Sequence, residues 1–158
     1  MKESFLIDLT SRIITEEDLI ILFEEIHLAE NFIFENANIP LSEKLRGKTK
    51  KEFTDFLKKL EKEDRDFTTP NQQFAFFEDL KKTLKKIPQL KLELAFEPSV
   101  EFLLKIKQWF NEKNGQEVIL DFLVNPGVVG GTIIEYQGKY CNLSVGKEID
   151  ELSSSHFL

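Results

Sequence analysis

The apolar residues of this chain change their spacing at Pro88, and no single regular element can carry both patterns. Before it, Phe53, Phe56, Leu57 and Leu60 fall at i, i+3, i+4 and i+7, and Phe74, Phe77, Leu80 and Leu84 make a similar stripe. That is the one-sided pattern of an amphipathic helix. After it, Leu90, Leu92, Leu94 and Phe96 alternate with Lys91, Glu93 and Ala95, the period of a strand with one buried face. The chain therefore reads as α+β: an N-terminal helical bundle over residues 1–87, then a small α/β C-terminal domain over residues 88–158 with a strand-helix-strand-strand core. A chain of 158 residues can bury roughly two-thirds of its unfolded surface. Either half alone is marginal and gains from a neighbour or a partner.

The helical part has three stripes. Thr15 followed by Glu16, Glu17 and Asp18 is a helix start, a side-chain cap with acids in the first turn. Leu19, Leu22, Phe23, Ile26, Phe32 and Ile33 follow at helical spacing, and Ile20, Ile21 and Phe34 lie off the stripe. A helix this apolar, over Glu16–Glu35, buries more than one face, in a bundle or against another chain. Residues Asn36 to Pro40 break it. Thr49 and Glu52 read as a capping box for the Phe53 stripe, and Pro70 as a first-turn proline for the Phe74 stripe after a polar linker. Residues Met1 to Arg12 fit a short helix or a strand.

In the second part, Glu97–Pro98–Ser99 opens a helix carrying Val100, Leu103, Leu104, Ile106, Trp109 and Phe110, with Gly115 as its C-terminal stop. A second strand runs from Val118 to Val124. Strand, helix and strand at this spacing suggest a parallel crossover. Asn125–Pro126–Gly127 is a turn, Gly130–Gly131 precedes a third strand over Thr132–Gln137, and Gly138 turns the chain before Tyr140. Ile149 to Leu152 fit a short terminal helix.

Several function classes lose support. The net charge is −7 without a basic stripe, which argues against nucleic-acid binding. The acidic N-terminus is unlike a signal or transit peptide, and no apolar run approaches the roughly 18 residues of a membrane span. The single cysteine, Cys141, cannot form an internal disulfide and reads as a buried or half-buried structural thiol. His27 and His156 read as a core-edge and a tail residue, without metal-ligand spacing. Gly127–Val128–Val129–Gly130–Gly131 leads into a β-rich run with no Lys–Ser/Thr pair, so it reads as a turn rather than a phosphate loop.

The same glycine segment carries a resemblance. A hydrophobic strand over Val118–Val124 is followed by Asn125–Pro126, spacers, Val128 and Gly130–Gly131. A strand with the turn glycine Gly138 comes next, then Asn142–Leu143–Ser144. In order and spacing this resembles the C-terminal signature of the F-type ATP synthase delta subunit, the oligomycin-sensitivity-conferring protein family. The preceding strand and helix from Leu90 to Gly115 are also in the family's order. Asn142 stands where the family usually has Asp, and Gly146, Lys147 and Glu148 replace its usual basic residues. The N-terminal part is shorter than the family's six-helix domain and lacks its Tyr-Ala-x-Ala-Leu start.

The resemblance implies a non-catalytic stator subunit, peripheral on the cytoplasmic face of a bacterial plasma membrane, with no cofactor. Its implied partners are the N-terminal helices of the alpha subunits and the C-terminal helix of a b-type stalk protein. It touches the membrane only through the complex. Phe23, Ile26, Phe74, Phe77 and Leu80 are the candidate gripping residues for the first partner, and Phe102, Trp109 and Phe110 for the second. Asn125, Pro126, Val128, Gly130, Gly131, Gly138 and Ser144 are expected to determine the fold rather than touch a partner. Two other classes fit the residues alone: a free-standing regulatory module holding a small ligand on its sheet, and a small enzyme using Cys141 or a carboxylate pair.

Overall fold

The computed structural model describes residues 9–36, 38–128 and 130–143. The expected terminal helix, Ser144 and His156 lie outside these residues, as does most of the N-terminal segment. The architecture is mixed α/β, with helices and a four-stranded mixed sheet. The chain divides into two compact units, Met1–Ile13 with Glu17–Lys86 and Ile14–Glu16 with Ile87–Leu158.

In the first unit, α1 (Glu16–Ile33), α2 (Leu41–Lys44), α3 (Lys51–Glu63) and α4 (Pro70–Leu84) follow the helical stripes, with a 3-10 turn over Arg65–Phe67. The buried residues of α1 are Leu22, Ile26, Ala29 and Ile33, a narrower stripe than the sequence offers. Phe53, Phe56, Leu57 and Leu60 come from α3, and Phe77, Leu80 and Leu84 from α4. The aromatic content is concentrated here. Phe77 meets Phe53 at 6.5 Å between ring centroids and Phe67 edge-on at 5.8 Å, while Phe67 meets Phe76 edge-on at 5.2 Å. Such edge-on pairs add to the area they bury.

The capping box expected at Thr49 does not form. The helix starts one residue later, with Lys50 at its cap and no side-chain cap bond. Thr49 Oγ1 instead lies 3.1 Å from Thr54 Oγ1, and the Lys50 N–H donates to Glu25 Oε1 at 2.6 Å. A carboxylate from α1 thus serves the end of α3. A reciprocal capping box does form at α4, where Thr69 Oγ1 accepts from the Gln72 N–H and Gln72 Oε1 accepts from the Thr69 N–H. The polar linker before Pro70 held this signal.

Burial raises the Glu25 carboxyl above its ordinary value of 4.5, and Glu52 adds to the rise, against the opposing pull of Lys50 through its N–H and its charge. A carboxyl raised in the folded state holds more protons than in the unfolded chain. Its contribution to stability is therefore present at low pH and is lost as pH rises from 4.5 through the folded value. Glu25→Gln keeps an acceptor for Lys50 and removes this titration. The variant is expected to show a flatter dependence of Tm on pH between 4.5 and neutrality, read by thermal unfolding of both proteins across that range.

Between α1 and α4, Lys81 bridges Glu30 at 2.7 Å and also pairs with Glu78. Desolvation alone would lower the Lys81 pKa, but its hydrogen bonds to the two carboxylates outweigh it and the net shift is upward.

In the second unit, β1 (Gln89–Leu94), α5 (Val100–Asn114) and β2 (Ile119–Val124) form the expected parallel crossover, with Gln89 opposite Ile119 and Leu94 opposite Val124. β3 (Thr132–Tyr136) pairs antiparallel with β1, so the sheet order is β2-β1-β3-β4. The fourth strand, β4 (Lys139–Asn142), is a strand beyond those expected. It is short and exposed, which leaves little hydrophobic alternation to read. Thr15, read as a helix cap, also bridges Leu120, and the Leu120 N–H donates to the Ile14 carbonyl at 2.9 Å.

Ser99 caps α5 by accepting from the Phe102 N–H, and Gly115 ends it in the left-handed conformation. The helix buries Leu103, Lys107 and Phe110. Leu103 and Phe110 pack with Leu90, Leu92, Leu94, Val118 and Leu120, and with the partly buried Phe122, Ile134 and Tyr136. Lys107 reaches Glu117 at 3.3 Å, so its stem lies in the core while its charge is paired.

The β3–β4 hairpin turns through Gln137 at φ 49° and Gly138 at φ 74°. Positive φ at both positions is the tight turn whose twist matches paired strands. Glycine adopts it freely, but glutamine does not. Gln137→Asn is expected to stabilise the unit by roughly 0.5 kcal/mol, since Asn tolerates this conformation better. A denaturation midpoint that does not rise would contradict the assignment.

Candidate interaction surfaces

The first unit separates the candidate gripping residues into two groups. Ile26, Phe77 and Leu80 are buried in its core, and Phe23 is half-buried. Phe74 is 41% exposed on α4 and lies 6.3 Å from the ring of Phe34, which is 62% exposed just past the end of α1. In the sequence Phe34 reads as an off-stripe residue within a helix over Glu16–Glu35, whereas α1 ends at Ile33, one residue before it. Ile20 and Ile39 are also exposed. A cleft of about 300 Å³ opens elsewhere on this unit, with Leu9, Ile13, Ile21, Leu22 and Phe53 on its walls. Its lining also includes Arg12, Asp18, Glu25, Lys50 and Glu52.

In the second unit, adjacent residues of α5 take opposite roles. Phe110 is buried and meets Tyr136 edge-on at 4.7 Å, whereas Trp109 is 53% exposed. Phe102 is half-buried against the core and lies edge-on to the exposed Phe96 at 5.3 Å.

The motif residues Asn125, Pro126 and Val128 lie in one turn. The Asn125 carboxamide accepts from the Gly127 N–H at 2.9 Å and donates to Glu93 Oε2 at 2.9 Å, which ties the turn to β1. The Asn125 N–H donates to the Leu94 carbonyl, and the Val128 N–H donates to the Asn125 carbonyl. Pro126 is exposed, Val128 is buried, and Gly130 and Gly131 both adopt positive φ.

Two residues differ from their expected settings. Cys141 is exposed on β4 rather than buried, because that short strand lies at the edge of the sheet. The His27 side chain is 77% exposed, 3.9 Å from Glu30, outside the core edge. Among the described residues, no three His, Cys, Asp or Glu side chains gather as metal ligands would. Likewise, no helix there is long and apolar enough to cross a membrane.

The face of the sheet opposite α5 carries two cross-strand rows. One runs Asp121, Lys91, Glu135 and Tyr140, and the next runs Leu123, Glu93, Ile133 and Asn142. A shallow depression of about 290 Å³ lies over them.

No curated protein matches the chain. The family model for the ATP synthase delta (OSCP) subunit matches residues 25–155. That span starts inside α1, so it takes in the helical stripes as well as the glycine signature that carries the resemblance. Covering most of the 158 residues, the match shows that this chain belongs to the ATP synthase delta (OSCP) subunit family.

Proposed function

We propose that this protein is the stator adaptor of a bacterial F-type ATP synthase, holding the catalytic head to the b-type stalk so that proton-driven rotation drives ATP synthesis. Members of the family are non-catalytic components of the peripheral stalk. The observation that carries the reading is the reach of the family pattern across residues 25–155, from α1 to beyond β4.

In this reading the helical residues 1–87 grip the N-terminal helices of the alpha subunits and residues 88–158 hold the C-terminal helix of the stalk. The protein sits peripherally on the cytoplasmic face of the plasma membrane, held there by the complex. The exposed rings make the contacts: Phe74 with Phe34 and the accessible edge of Phe23 for the head, Trp109 with the accessible part of Phe102 for the stalk. Ile26, Phe77, Leu80 and Phe110 fix the backbone beneath these rings. A stator does its work by not yielding, so rigid aromatic anchors over a packed core suit it.

The test is reconstitution. Membranes carrying the synthase of the same organism, stripped of this protein, should regain proton-driven ATP synthesis when it is added back. Restored binding of the head without restored coupling, or no restoration at all, would contradict the stator role.

A further inference from the structure

The sheet of the second unit has a second usable face. α5 packs on the side of Leu90, Leu92 and Leu94. On the other side, beyond the buried Ile119, Leu123 is 62% exposed and Tyr140 63% exposed, with Ile133 half-buried between them. Parallel strand pairs are normally covered on both faces, and β1 and β2 are such a pair. A leucine left this open near the end of a parallel strand therefore points to a missing layer.

The charges around these apolar positions say what that layer is. Lys91, Glu93, Asp121 and Glu135 line the depression, one cation against three carboxylates. Lys91 is already engaged with Glu135 at 3.7 Å, and Glu93 accepts from Asn125 on one oxygen. The face is thus apolar spots set among surplus negative charge. A second copy would bring the same negative face against it, within a chain of net charge −7. The chain's own residues 144–158 carry Lys147 against Glu148, Asp150 and Glu151, and so have the wrong sign as well.

We propose that this face docks an amphipathic helix whose apolar stripe is flanked by Lys or Arg, a contact additional to those through Phe74 and Trp109 in the adaptor reading. The apolar stripe covers Leu123, Ile133 and Tyr140. The flanking cations reach Asp121, Glu93 and Glu135. Complementary charge of this kind sets partner choice and association rate more than total affinity.

The experiment titrates the full-length protein with two model helices sharing one leucine stripe, one flanked by Lys and Arg, the other by Glu. The basic helix should bind, roughly tenfold or more tightly than the acidic one, and the preference should shrink as salt is raised. Leu123→Asp should weaken the basic helix about tenfold or more, and Glu93→Lys with Asp121→Lys should reverse the preference. Val100→Ala, at an exposed position of α5 outside both proposed contacts, should leave both affinities unchanged. On the wild type, hydrogen exchange should slow in β1 to β3 when the basic helix is added, a readout that does not depend on any variant folding. Equal affinity for the two helices would overturn the proposal, as would binding insensitive to the face variants or protection confined to other elements.

Discussion

Replacing Phe77 by alanine is expected to remove about 3–5 kcal/mol of stability, the usual cost of truncating a fully buried aromatic side chain. Phe77 is 0% exposed and its ring is held by Phe53, Phe67 and Phe76. The cavity left would sit between three rigid rings that cannot easily close on it. Since small proteins hold only about 5–15 kcal/mol in all, this is a large share. The loss should appear as a lowered denaturation midpoint with faster hydrogen exchange in α3 and α4. A loss below about 1 kcal/mol would mean that the aromatic cluster does not pack as described. Phe74→Ala, one turn away, should cost far less, because Phe74 is 41% exposed.

The second large effect comes from a pair of neighbours. Phe110→Ala is expected to cost about 3 kcal/mol or more, since the ring is 7% exposed and packs edge-on against Tyr136 across the sheet core. Trp109→Ala removes a larger side chain but is expected to cost less than about 1 kcal/mol, because that ring is mostly in solvent. Chemical denaturation of both variants, followed by the circular dichroism of the sheet, checks the contrast. If the two lost equal stability, α5 would not present Phe110 inward and Trp109 outward.

Much of this arrangement is legible in the sequence, and the exceptions have identifiable causes. The crossover is visible because Leu90, Leu92 and Leu94 alternate cleanly and Ser99 and Gly115 bracket a helix. The β4 strand is hidden because Lys139–Asn142 is a four-residue edge strand, where burial no longer imposes a pattern. The cap of α3 escapes a local reading because its donor is served by Glu25, 25 residues away, and no local motif records such a partner. On the surfaces, spacing identifies Phe74 and Phe77 as members of one stripe, but it cannot say that one lies outward and the other inward. Lys107 shows the reverse, a cation on the buried stripe of α5, kept there by Glu117 across the helix's end. The open sheet face is equally invisible. Lys91 and Glu93 fit any solvent-facing strand, and only the register with Asp121, Glu135 and Leu123 gathers them into one surface.

The adaptor reading meets its most direct test in isothermal titration of the full-length protein with two peptides from the same organism's synthase. One is the N-terminal helix of the alpha chains, the other the C-terminal helix of the b-type stalk. Submicromolar binding of both is expected, with the first weakened by Phe74→Asp and the second by Trp109→Ala. Absence of binding to either peptide, with the protein folded, would contradict the claim that this chain joins the head to the stalk.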